Sequence, residues 1–276
     1  MDGELSPIRG YCGGGNIAGI LGLSPFRTPL DEYLLIVNEL QDELTPEKAE
    51  FFEDRRDLEP WAAKKFTRKT GLQVVRTNER YQDVEFDWAR AEIDFETIDG
   101  CNGETKTVHP NAVGGWGDPD AGEEPPLYVT AQAMWGLGVT DRARCYVQAL
   151  IGFDDHRVYV IERDDELIAA IRQKAADFWR FHVLPRRPPP PTNADDLLRL
   201  YPRDSGRPVE ASADIRGALE CLHAERQQLK LHTARKETYE YAIKGFMRDA
   251  TVLTVNGQPA LTWKADTRGI RIFRLK

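Results

Sequence analysis

The 276-residue sequence predicts an α/β fold: a central mixed sheet flanked by helices, with a C-terminal helical and hairpin extension. Three observations carry this. Periodicities alternate in blocks, as one helix, three strand-like runs, an apolar helix, two further strands and an amphipathic helix, an order that reads αβββαββα. A proline-rich stretch, LPRRPPPPT, then interrupts the chain at 184–192. Beyond it come a long charged helical pattern and an Asn-Gly hairpin signal.

The elements follow in order. In CGGGNIAGILGLSPFRTPL, glycines punctuate a short apolar stretch, and Ser24-Pro25 and Thr28-Pro29 mark the turn into a helix over about 31–40. Thr45 as N-cap, Pro46 in the first turn and Gly71 as the stop delimit the next helix, with a kink or break expected at Glu59-Pro60. GLQVVRT, YQDVEFDWARAEIDFETI and NGETKTV read as successive strands, with Asn102-Gly103 as the turn before the last. The Gly/Pro-rich VGGWGDPDAGEEPP leads to an apolar helix, LYVTAQAMWGLGV. Two strands, ARCYVQALIGF and HRVYVIE, join at Asp154-Asp155. In DDELIAAIRQKAADFWRFHV, Leu167, Ile168, Ile171, Ala175, Phe178 and Trp179 recur at helical spacing. The polyproline run is stiff and extended, which places a linker at 185–192 between regions 1–184 and 193–276. In the last region Ile215, Leu219, Leu222 and Leu229 follow a roughly helical spacing, and Asn256-Gly257 marks a hairpin.

Composition bounds the function. No apolar run approaches the roughly 20 residues of a membrane span, and the N-terminus lacks the basic start and apolar core of a signal peptide, so a cytoplasmic protein is expected. Four scattered cysteines without a C-x-x-C pair read as free thiols. A net charge of −8 excludes an all-round basic surface but not a local track. Lys64, Lys65, Arg68 and Lys69 fall within six positions, and on one helix they would make a compact cationic surface or a solvated face. The GGGN stretch lacks the Lys-Ser/Thr of a phosphate loop, and no nucleophile-elbow motif is present.

The stretch AEIDFETIDGCNGETKT holds the candidate chemistry. The two-residue strand period puts Glu104 and Lys106 on one face, and Asp94 can face them from the neighbouring strand. Two converging carboxylates suit Mg²⁺, a hard cation that keeps several waters, and the carbonyl of Thr105 is a further candidate ligand. Lys106 beside the metal would orient or deprotonate a water attacking a phosphodiester. Alone, E-x-K is weak, since Glu and Lys two apart are common on a solvated strand.

In its D-x₉-E-x-K spacing on an αβββαβ core, the chain resembles the PD-(D/E)xK nucleases, and within them the YqaJ-like viral recombinase and phage lambda exonuclease family. GGGNIAGILGLSPFRTPLDEYL, DLEPWAAKKFTRKTGLQV, AEIDF with ETK, and YVTAQAMWGLGVT with YVIERDDELI carry the resemblance in the family's order. It implies a restriction-endonuclease-like exonuclease domain over 1–184, with Asp94 and Glu104 as metal-binding acids and Lys106 as catalytic lysine. It also implies that Glu59 assists a second metal or orients water, that Gln132 borders the active site, and that Arg9 receives a 5′ phosphate. The implied activity is a Mg²⁺-dependent (two ions, Mn²⁺ substituting) 5′ to 3′ exonuclease on double-stranded DNA ends, leaving 3′ overhangs for annealing. The implied assembly is a homotrimeric ring, working with a single-strand annealing protein of a phage recombination system in a bacterial host. Alternatives are an endonuclease of the same superfamily or a non-catalytic DNA-end-binding scaffold. The family's opening serine and following acid are Gly15 and Asn16 here, which shifts the expected DNA contact there to backbone N–H groups. Glu92 and Phe95 flank Asp94 where the family differs, so the DNA-end pocket is expected to be built differently around them.

Overall fold

A computed structural model describes residues 10–37 and 45–276, except for the side chains of 47–49, 51, 52, 55 and 56. Arg9 and positions 38–44, which include the end of the predicted 31–40 helix, lie outside the described residues. Two short helices open the fold, α1 (Gly14–Ile20) and α2 (Pro29–Ile36). In α2, Thr28 and Asp31 cap each other's backbone N–H reciprocally, and Pro29 takes the first turn. Helix α3 (Pro46–Thr70) stops at Gly71, whose φ of +78° lies in the left-handed region open to glycine. The break expected at Pro60 does not occur, for α3 runs through it unbroken. Ala62 and Phe66 are buried in the turns that follow the proline.

The sheet contains β1 (Val74–Gln82), β2 (Arg90–Thr97), β3 (Asn102–Val108), β4 (Arg144–Ile151) and β5 (Asp155–Glu162) in the order β1-β2-β3-β4-β5. Only β3 and β4 run parallel; the rest pair antiparallel, so the sheet is mixed. The parallel pair is joined by α4 (Leu127–Thr140), a helix apolar on nearly all sides because it lies between the sheet and its neighbours, with Val129, Met134, Trp135 and Leu137 buried. Helix α5 (Asp165–Phe178) then packs Ile168, Ile171, Ala175 and Phe178 inward, as their spacing predicts. The expected order of elements and the mixed, helix-flanked sheet are therefore observed.

Two local expectations are corrected. The run 81–98 is not one strand: 83–89 form a connection in which buried Asp83 accepts hydrogen bonds from the N–H groups of Glu85 and Phe86. The turn between β2 and β3 is not Asn102-Gly103 but the segment ending at Gly100, whose φ is +80°. Asn102 begins β3, its amide donating to Thr140 Oγ1 (3.0 Å) and accepting from Arg142 (2.9 Å). Gly103 is needed for a different reason: a Cβ there would stand 2.2 Å from the Phe95 ring. Phe95 is thus core, packed with Phe66 and Tyr146, and not part of a DNA pocket. Gly103→Ala is expected to lower stability by about 1–3 kcal/mol in urea unfolding, with Phe95→Leu in the same chain restoring part of it.

The first compact unit ends at Arg203, past the linker that composition places at 185–192. Helix α6 (Ala194–Leu200) stays with this unit, because buried Asp196 accepts from Thr28 (2.8 Å) and from the Thr192 N–H (2.7 Å), while Arg199 ion-pairs with Asp31. The second unit, Asp204–Lys276, holds α7 (Ala213–Met247) and a meander of β6 (Val252–Val255), β7 (Gln258–Ala265) and β8 (Arg271–Leu275). The predicted hairpin is present, with Asn256 and Gly257 both at positive φ in a two-residue loop. Helix α7, about 52 Å long, leaves Ile215, Leu219, Leu222 and Leu229 exposed.

Candidate active site

The parallel crossover brings the predicted residues together. In β2 and β3 only Phe95↔Gly103 and Glu96↔Asn102 are in register, and the ladder then gives way to a side chain. Asp94 Oδ2 accepts the Thr105 N–H at 2.7 Å, replacing the backbone carbonyl that would otherwise take it. On β3, Glu104 is buried and Lys106 is half-buried on the same face. Lys106 Nζ donates to Glu104 Oε1 (2.7 Å) and to Gln132 Oε1 (2.7 Å), and Gln132 Nε2 donates to Glu104 Oε1 (2.6 Å). Lysine, glutamate and the α4 glutamine so form a closed ring of hydrogen bonds, with Asp94 beside it.

The electrostatics follow from burial and proximity. Burial raises the Asp94 pKa well above the ordinary carboxylate range, and the charges of Glu104 and Glu59 push the same way against Lys106 and the Thr105 N–H. Burial opposes the charge on Lys106, but the Glu104 carboxylate outweighs it and holds the ammonium pKa above its usual value. Two acids that repel each other in a half-buried site are relieved by a cation. The donor set, carboxylate oxygens with a nearby backbone carbonyl at Thr105, is all hard oxygen. Among the described residues no three His, Cys, Asp or Glu side chains form a metal-holding cluster.

Glu59 is placed on α3 close enough to Asp94 for its charge to act there. Its Oε2 accepts from Asn78 Nδ2 at 2.7 Å. Asn78 lies between Thr77↔Phe95 and Glu79↔Ile93, across from Asp94, and has φ +58° within β1. A non-glycine residue with positive φ inside a strand is strained, and here the strain aims an amide at Glu59. Asn78→Gly keeps that backbone and loses the amide; it should leave the melting temperature near wild type and lower the catalytic rate at this site about 10–100-fold. Initial rates and thermal melts on the same preparation check this.

The remaining predicted residues separate. Gly15 is exposed at the start of α1 and lines a cleft of about 710 Å³ that reaches Lys106 and Gln132. Asn16 is occupied by its own helix start, accepting from the Gly13 N–H (2.7 Å) and donating to the Tyr11 carbonyl (2.8 Å). Of the basic residues of α3, Lys65 donates to the Phe153 carbonyl (3.1 Å) and Lys69 to that of His156. Lys64 and Arg68, one turn apart, stay exposed beside a groove with Trp61. Glu92 pairs with Arg80 at 3.4 Å, outside the ring of hydrogen bonds.

Two groups escaped the sequence reading. Thr105 Oγ1 accepts from buried Gln148 (2.9 Å), whose Oε1 lies 3.2 Å from His156 Nε2, so the strand bearing Glu104 and Lys106 is tied laterally to β4 and β5. Tyr128 lines the cleft one helical turn before Gln132, and that i, i+4 spacing was a usable signal.

Residues 8–143 match the model of the YqaJ-like viral recombinase domain. A protein of Bacillus subtilis (strain 168), described as uncharacterized protein YqaJ, is 25% identical over 283 residues, spanning 98% of this chain and 87% of its own. Among solved structures, the alkaline exonuclease LHK-Exo from Laribacter hongkongensis aligns with a TM-score of 0.49 at 18% identity, over 64% of this chain and 90% of that one. A phage related exonuclease from Haemophilus somnus 129PT aligns at 0.46 and 15% identity, over 62% and 92%.

Proposed function

On the match of residues 8–143 to the YqaJ-like viral recombinase domain, we propose that the protein is a Mg²⁺-dependent exonuclease that removes nucleotides from the 5′ ends of double-stranded DNA. The observation that carries this reading is the closed ring of Lys106, Glu104 and Gln132 beside Asp94, at one end of an open cleft. Asp94, Glu104 and the Thr105 carbonyl would hold the metal, which when bound supplies charge neutralisation at the phosphate and a more acidic water. Lys106, which donates two hydrogen bonds, acts as an ammonium: it orients the phosphate and offsets the charge that builds on it. Gln132 holds both Glu104 and Lys106 in place, and its amide can donate to a phosphate or accept from a water. Glu59, aimed by Asn78, orients the water or assists a second ion. Exposed Lys64 and Arg68 offer phosphate contacts away from the chemistry.

Resection from a 5′ end leaves a 3′ overhang, the substrate of a single-strand annealing protein, which we take as the partner. A homotrimer closed around DNA is the assembly proposed, and gel filtration with light scattering tests it. The activity is tested on linear duplexes labelled at the 5′ or the 3′ end, with and without Mg²⁺, beside a closed circle. Mg²⁺-dependent release of the 5′ label first, with the circle intact, is expected. A cut circle indicates an endonuclease, and tight end binding without cleavage in any metal indicates a scaffold.

A further inference from the structure

We propose that Phe26 and Tyr128 form a nucleobase-stacking wall for the terminal nucleotide being removed, a subsite that rests on the reading of the protein as a DNA-end nuclease. Phe26 is 78% exposed, although a phenylalanine ring ordinarily gains from burial. Its turn is built to present it: Ser24 Oγ accepts from the N–H groups of Phe26 (3.1 Å) and Arg27 (3.3 Å), and Pro25 fixes the backbone between them. Downstream, the turn is anchored by Thr28, which caps α2 and donates to Asp196.

Phe26 meets Tyr128 edge to face, with ring centroids 5.9 Å apart and planes at 86°. That geometry leaves ring face free for a third planar group. Both rings line the cleft that ends at Lys106 and Gln132, and Tyr128 is near enough to Lys106 for the ammonium to act on its phenol. Among the described residues that line this cleft none is a carboxylate, and Lys106 brings a cation to it. A ligand with a phosphate at Lys106 and a flat apolar ring a few atoms away matches both ends, and a nucleotide is such a ligand. Stacking engages the face of a base and not its hydrogen-bonding edge, so the wall would accept all four bases, as an enzyme that digests any sequence requires.

The test compares two 5′-phosphorylated linear duplexes that differ only in the 5′-terminal residue, deoxyadenosine or a tetrahydrofuran abasic analogue. On the deoxyadenosine end, Phe26→Ala should raise KM about ten-fold and Phe26→Leu nearly as much, while Phe26→Trp stays near wild type. On the abasic end, wild type should fall to the Phe26→Ala level and the variants should show no further loss. Equal losses on both ends, or none on either, overturn the proposal. If wild type releases nothing from either duplex, the nuclease reading fails by itself. The wall is then judged by fluorescence anisotropy on the same duplexes: a preference for the base-bearing end that Phe26→Ala removes supports it, and no preference overturns it.

Discussion

Lys106→Met is expected to leave a folded protein whose nuclease kcat is lower by about 10²–10⁴-fold. The lysine is the cation bonded to Glu104 and Gln132, and the methionine stem fills its volume without a charge or a donor. Removal takes away the group that offsets charge on the phosphate and also the bond that orients Glu104. Arginine is not a substitute, because its planar fork cannot reproduce a point charge that donates to both partners at 2.7 Å. Single-turnover rates at saturating DNA, with a thermal melt of the same sample, separate lost chemistry from lost folding. A variant within three-fold of wild type would remove Lys106 from the mechanism.

Arg172→Ala should give the largest loss of stability, about 3–5 kcal/mol by urea unfolding. Arg172 of α5 forks onto Asp83, which is buried, and onto Glu85 at 2.9 Å; its guanidinium also lies 5.0 Å from the centre of the Phe86 ring. Without it the Asp83 carboxylate is a buried charge with only backbone donors. Burial alone would raise the pKa of Asp83, but Arg172 and the N–H groups of Phe86 and Glu85 outweigh it and hold the carboxyl below its ordinary value. A depressed folded pKa contributes stability that is complete above the unfolded value of about 3.9 and is lost as pH falls through the folded one. Wild type should therefore lose stability steeply below about pH 4, and Arg172→Ala, which starts lower at pH 7, should show a shallower acid limb.

How much of this was legible in the sequence depended on whether the deciding interaction was local. Asn256-Gly257 and Gly71 were readable because each needs a positive φ at its own position, and local chemistry reports that. The acids and lysine were readable because strand periodicity, together with a fixed spacing, puts them on one face. Asn102-Gly103 carried the same turn signal as Asn256-Gly257 and misled. What decides there is the Phe95 ring against Gly103, with Thr140 and Arg142 on the Asn102 amide, contacts from far along the chain. Pro60 misled as well: α3 continues through it, with Ala62 and Phe66 buried in the turns that follow. The basic run on α3 was visible as composition, but which lysines meet the carbonyls of Phe153 and His156 depends on how the helix docks. Phe26 and Tyr128 are about a hundred residues apart, and neither carries a motif that announces the pair.

If Asp94 and Glu104 hold one metal ion between them, calorimetric titration of Mn²⁺ into the DNA-free protein will register it. Wild type should bind with a defined stoichiometry, and Asp94→Asn and Glu104→Gln should each weaken that binding at least ten-fold while melting as folded proteins. Undiminished binding in both variants would mean that these two carboxylates do not hold the ion.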